Sequence, residues 1–172
     1  MGVMGHYVGD SSQPLHTSKH HNGWVGENPL GYPTNRTFHA WIDGGYFHKI
    51  GGLKTEALAQ RIKPAEHVGD SAQPDSFFQA VVAHVVKQNK QVEPLYKLEK
   101  EHKLSPRSGE IDPEGLAFME GQILQGAQML GNIWLSAWQD ATEDKHLKTE
   151  LEKRSKAESA AKENTQRQGA EK

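Results

Sequence analysis

Apolar residues along the chain recur three and four positions apart, and no useful stretch alternates apolar with polar residues. That pattern predicts helices throughout and places the protein in the all-α class. Gly2–Gln13 carries Val3, Met4 and Tyr7 on one stripe. It is stopped by Pro14, which disfavours helix at the residue before it. The Gly-, Pro- and Asn-rich stretch His16–Thr37 predicts an ordered loop, and an irregular segment of about 20 residues in a compact domain is often functional. Thr37–Asp43 starts a helix with Thr37 as N-cap, and Gly44, Gly45, Gly51 and Gly52 interrupt or end it. Lys54–Arg61 is a short helix closed by Pro64.

Two longer helices follow. Asp75–Leu98 opens on Asp75 as cap, repeats Phe78, Val81, Val82, Val85 and Val86 at helical spacing, and is kinked or divided by Pro94. Asp112–Ala141 has Asp112 as cap, Pro113 at the first helical position and Glu114 in the first turn. Leu116, Met119, Ile123, Ala127, Leu130, Trp134 and Trp138 mark one face of it. Glu143–Lys172 has no Phe, Tyr or Trp and only two leucines. It therefore predicts a charged, disordered tail, with a first half able to form helix. The expected organisation is one helical domain over 1–142 and this tail over 143–172.

Composition narrows the function classes. At 172 residues and a formal net charge of −2, global charge steers neither nucleic acid nor acidic membranes toward the chain. The absence of cysteine excludes disulfides and thiolate zinc sites. No apolar run approaches the ~18 residues of a membrane span, so stable membrane insertion is not expected. Met1–Val8 has neither the basic nor the apolar segment of a signal peptide. No serine nucleophile elbow or phosphate-cradling glycine loop is present, which argues against serine hydrolases and against nucleotidases that hold phosphate in such a loop.

The chemistry concentrates at the start. His6 and Asp10 are an i, i+4 pair, and His39 and Asp43 are a second, so each pair projects from one face of a helix. His16 follows Pro14, where the chain turns. Imidazole and carboxylate suit zinc, and two helices plus a loop can aim five such donors at one cleft. Gly5 and Gly9 leave room for another helix to approach. His20, His21 and Asn22 are expected on the exposed part of the loop. Trp24, Tyr32, Phe38, Trp41, Tyr46 and Phe47 surround the same region, either as core or as a stacking surface for bases or a lipid headgroup. His84 lies within an apolar helix face and is expected as a buried or boundary histidine.

The string H-x3-D-x5-H-x22-H-x3-D, with "HYVGDSSQPLH" followed by "HAWID", resembles the metal motif of the zinc-dependent phospholipase C and single-strand nuclease superfamily. The likeness is most specific over His6–Asp43, and Asp112–Ala141 resembles the family's long C-terminal helix. The resemblance implies an all-α phosphodiesterase with three clustered zinc ions. By that likeness His6 ligates the first zinc, and Asp10 bridges the first and third and is the candidate catalytic residue. His16, His39 and Asp43 hold the second. The family's other ligands precede this motif, so the resemblance implies the C-terminal portion of a larger enzyme whose N-terminal part is missing. It further implies export to the periplasm or outside the cell for the complete form. The substrate would be a phosphodiester, either single-stranded nucleic acid or phospholipid. With one complete ligand set, this chain is expected to bind about one zinc and to be inactive or weakly active. Apolar surface is expected to be exposed around Val3, Met4 and Val8. The alternative expectation is a non-catalytic helical domain whose single structural zinc site supports an interaction module.

Overall fold

The computed structural model describes residues 2–70, 72–73, 75–105 and 110–170, with the backbone path alone over 160–170. Among the described residues it is helical without strands, apart from an isolated bridge between Asp70 and Gln73. The elements are α1 (Gly2–Ser12), α2 (Thr37–Ala40), α3 (Tyr46–Lys49), α4 (Thr55–Ala59), α5 (Ser76–Asn89), α6 (Val92–Lys100), α7 (Pro113–Gln139) and α8 (Lys145–Ala170). A 3₁₀ turn, Pro14–Thr17, follows α1, and a π-helical turn, Trp41–Gly45, joins α2 to α3. No described helix is long and apolar enough to cross a membrane.

Pro14 ends α1 as expected: Gln13 is forced into extended backbone (φ −90°, ψ 117°), and Pro14 opens the 3₁₀ turn. Gly44 and Gly45 interrupt the second helical run with the π turn without ending it, and the run closes at Lys49 ahead of Gly51 and Gly52, both at positive φ. A Cβ at Gly45 would lie 2.9 Å from the Trp41 ring, so glycine is what lets the widened turn close over that side chain. The cap of α2 is also not Thr37. The Asn35 carboxamide oxygen accepts from Phe38 N at 2.9 Å and from Thr37 Oγ1 at 2.8 Å. Asp112 caps α7 as expected, its Oδ1 accepting from Glu114 N at 2.9 Å and Gly115 N at 3.0 Å. Asp75 occupies the N-cap position of α5 without a side-chain capping bond. The Asp75–Leu98 segment divides at Lys90–Gln91, ahead of Pro94. Pro94 then sits in the first turn of α6, where a missing N–H breaks no intrahelical bond.

The loop from Ser18 to Arg36 is ordered by its own polar groups. Asn28 bonds Tyr32 twice, at 2.8 and 2.7 Å, and Trp24 N donates to Pro33 O at 2.9 Å. Gly23 has φ +101°, and a Cβ there would sit 2.5 Å from the Thr34 backbone, so this turn requires glycine. Tyr96 donates to the His20 carbonyl at 2.5 Å and packs edge-on against Trp24.

Leu15, Tyr46, Leu95, Tyr96 and Leu104 are fully buried and form the main core with Phe38, Ile42 and Met119. Burial of each such leucine contributes roughly 1.5–3 kcal/mol. A second cluster, Val8 with Met129 and Ile133, joins α1 to α7. Val8 is therefore buried, against expectation, whereas Val3 (74%) and Met4 (41%) are exposed as expected. The face that α7 buries is rotated from the predicted one: it runs Gly115, Met119, Gln122, Gly126, Met129, Ile133, Ser136, and leaves Trp138 81% exposed. Close approach decides this. A Cβ at Gly126 would lie 3.0 Å from the Ser12 side chain, so small residues rather than the aromatics face α1. On α5, Phe78, Val82 and Val86 are likewise exposed.

The chain divides into two compact units, Met1–Gln139 and Asp140–Lys172. In the second, α8 is capped by Asp144, whose Oδ1 accepts from Leu147 N at 2.9 Å. It is helical beyond the first half that the sequence allowed, and 145–159 are exposed save a half-covered Glu150, as a solvated segment requires.

His84 ties α5 to α1: its Nε2–H donates to Ser12 Oγ at 2.9 Å, and that hydroxyl donates to Val8 O at 2.7 Å. Burial, with a smaller contribution from Lys87, pushes the His84 pKa below its ordinary 6.5. On acidification the unfolded chain takes up this proton first, so stability is complete above about pH 6.5. It falls as pH drops through that value and levels off below the folded-state pKa. Urea midpoints measured between pH 7.5 and 5.5 are expected to decline, with a smaller decline in His84→Gln; an unchanged slope would contradict this.

Candidate metal centre

Three elements deliver the donors. His39 lies on α2 and Asp43 four residues on, in the π turn, so the helical run points both side chains the same way. Turns of this kind recur at functional sites because they re-aim a side chain within a helix. His16 comes from the 3₁₀ turn, which folds back beside them.

His16 Nε2 and His39 Nε2 are 3.0 Å apart, His16 Nε2 is 3.2 Å from Asp43 Oδ1, and His39 Nε2 is 2.9 Å from Asp43 Oδ2. Among the described residues these three form the one group whose ligand atoms all lie within 4.8 Å of each other. For bonds of about 2.0–2.1 Å, donors on a tetrahedral zinc stand roughly 3.3 Å apart, so the set needs only slight opening to accept the ion. Charge agrees: with neutral imidazoles, Asp10 and Asp43 give the cluster a formal −2, which a divalent cation offsets.

Asp10 and His6 stand outside this set. Asp10 Oδ1 lies 3.4 Å from His16 Nδ1, the ring nitrogen that faces away from the triad, while Asp10 Oδ2 is 3.3 Å from His6 Nε2. Asp10 thus stands behind His16, the position from which carboxylates commonly orient metal-bound imidazoles. The His6 side chain is 70% exposed. Of the five expected donors, the structure brings His16, His39 and Asp43 into one group, sets Asp10 behind His16, and leaves His6 as Asp10's outer partner.

One residue without an assigned role in the sequence also enters the site. Gln13 Nε2 donates to Asp43 Oδ1 at 2.7 Å. Its position before Pro14 was visible, but its contact with a residue 30 positions away was not.

His39 lines a pocket on one side of His16; on the other, two of the donors, His16 and Asp43, border a cavity of about 450 Å³, within the range of small-molecule sites. Asp10, His16 and Asp43 lie on its wall, and Phe47, Leu95, Phe118, Ile123 and Leu130 make much of the remainder apolar. Gly5 and Gly9 line the cavity. A Cβ at Gly5 would touch Leu130 at 3.8 Å, and one at Gly9 would meet nothing within 4 Å, so Gly9 admits no closely packed helix. Gln122, also on the wall, has a buried carboxamide oxygen with no hydrogen-bond partner.

The neighbouring histidines divide. His20 is not an exposed loop residue: it stacks on Trp24 at 3.9 Å, and its Nδ1 accepts from Val25 N at 3.0 Å. Burial chiefly, then Lys19, lowers its pKa. His21 is exposed, as expected, with its ring 6.1 Å from that of His39. Tyr32, Phe38 and Tyr46 are buried and Trp24, Trp41 and Phe47 pack against the core, so this set is chiefly structural.

No family model matches the chain, and no curated protein or solved structure matches it.

Zinc at 100 times its Kd is expected to stabilise the chain by about 2.7 kcal/mol, at one ion per chain. Elemental analysis and urea titration check this. His39→Ala should lose both the ion and the stabilisation, and retention of both would contradict the assignment.

Proposed function

We propose that the chain carries a zinc-dependent phosphodiesterase centre, one ion held by His16, His39 and Asp43. What carries the reading is the convergence of two imidazole nitrogens and a carboxylate, with His16 and Asp43 on the wall of a 450 Å³ cavity. Bound zinc would supply a water of lowered pKa and polarise a phosphoryl oxygen. With two uncharged imidazole donors and one carboxylate, the three-ligand set would leave the ion a formal +1 toward an anionic phosphate, with the Asp10 charge outside the set. Asp10, 3.4 Å from the ring of His16 and on the cavity wall, is the candidate proton acceptor. The apolar lining suits an uncharged substituent of the diester. A purely structural zinc would call for a fourth protein donor. The group found among the described residues has three, which favours a position open to water or substrate over the non-catalytic alternative.

With a single ion, turnover lacks the charge neutralisation of a multi-zinc centre and is expected to be weak. Hydrolysis of an activated aryl phosphodiester by the zinc-loaded chain should exceed that by equimolar free zinc. His39→Ala should abolish the excess, and Asp10→Asn should lower it by about tenfold or more. A zinc-loaded chain no faster than free zinc would refute the reading.

A further inference from the structure

We infer that Gln13 is a positioning residue that decides which oxygen of Asp43 is presented to the metal, an inference that rests on the zinc reading of His16, His39 and Asp43. Gln13 is the residue that Pro14 forces out of α1 into extended backbone. Its carboxamide is held at both ends: Oε1 accepts from Leu15 N at 2.5 Å, and Nε2 donates to Asp43 Oδ1 at 2.7 Å. Leu15 is fully buried, so the first of these bonds anchors the side chain to the core. Rotating the amide by half a turn would set N–H against N–H at Leu15 and oxygen against oxygen at Asp43, so the orientation is fixed.

The consequence falls on Asp43. Its Oδ1 faces His16 Nε2 at 3.2 Å but already accepts from the Gln13 amide, which leaves Oδ2, 2.9 Å from His39 Nε2, as the oxygen with its lone pairs free for the ion. A carboxylate held this way donates through one oxygen, which suits a four-coordinate zinc. Cations that take both carboxylate oxygens, as calcium does, would have to displace the Gln13 bond. The segment Gln13–His16 therefore carries a ligand at one end and the support for a ligand from another element at the other.

The test is zinc affinity of the full chain, by competition with a chromogenic chelator, for the unchanged protein, Gln13→Met, Asp43→Ala and the double variant. Gln13→Met is expected to weaken zinc binding about 10–100-fold. In the Asp43→Ala background the same change should cost no more than about twofold, because the group it acts through is gone. An unchanged affinity in Gln13→Met, or an equal loss with and without Asp43, would overturn the inference; in the second case Gln13 acts only on the turn that carries His16. If Gln13→Met fails to fold by far-ultraviolet circular dichroism, the side-chain amide resonance of Gln13 in the unchanged sequence serves instead. It should move on Asp43→Ala, and a stationary resonance overturns the inference. Failure of the unchanged protein to bind zinc at all overturns the zinc reading and this inference with it, whereas zinc binding that ignores Gln13 overturns this inference alone.

Discussion

The site depends on one constraint: Pro14 follows the last turn of α1 and sends the chain back on itself. That reversal puts the two ring nitrogens of His16 against carboxylates from different elements, Asp10 on α1 and Asp43 on the π turn. A helix continued past Gln13 would carry His16 away from α2. The turn is secured by a buried Leu15 and by the Gln13 carboxamide, both within two residues of the proline. A short local break thus assembles donors that lie 23 and 27 positions apart.

The helix packing leaves that cluster facing a cavity. α1 approaches α7 most tightly near Ser12 and Gly126, where a methyl group would already be tight. Toward its start, Gly5 and Gly9 remove side chains from the same face, and space opens between α1 and α7 bounded by Leu130 and Ile123. Glycines on this face of α1, set against apolar residues of α7, place an apolar chamber beside a charged cluster. Ligand sites in helical proteins are commonly built this way, with a few convergent polar groups on an apolar wall.

Much of this was legible in the sequence because it depends on local rules. The i, i+4 pairs, the stop at Pro14 and the cap at Asp112 follow from helical geometry and backbone sterics, and each is present. What was not legible is decided by tertiary contact. Apolar count favoured the Trp134–Trp138 face of α7, but close approach to α1 selects Gly126 and Ser136 instead. Asn35 displaced Thr37 as the cap of α2 because its carboxamide reaches two donors at once. Gln13 carries no ligand chemistry of its own, and its role exists only through a side chain 30 residues away. Of the five candidate donors in the His6–Asp43 string, the geometry brings three into one group and leaves Asp10 beside His16.

The central claim is that His16, His39 and Asp43 hold a single zinc ion with a position left open. Zinc X-ray absorption on the loaded chain tests it most directly. The account predicts a four-coordinate shell of nitrogen and oxygen at about 2.0–2.1 Å, with outer scattering from two imidazoles. A six-coordinate oxygen shell without imidazole scattering would contradict it.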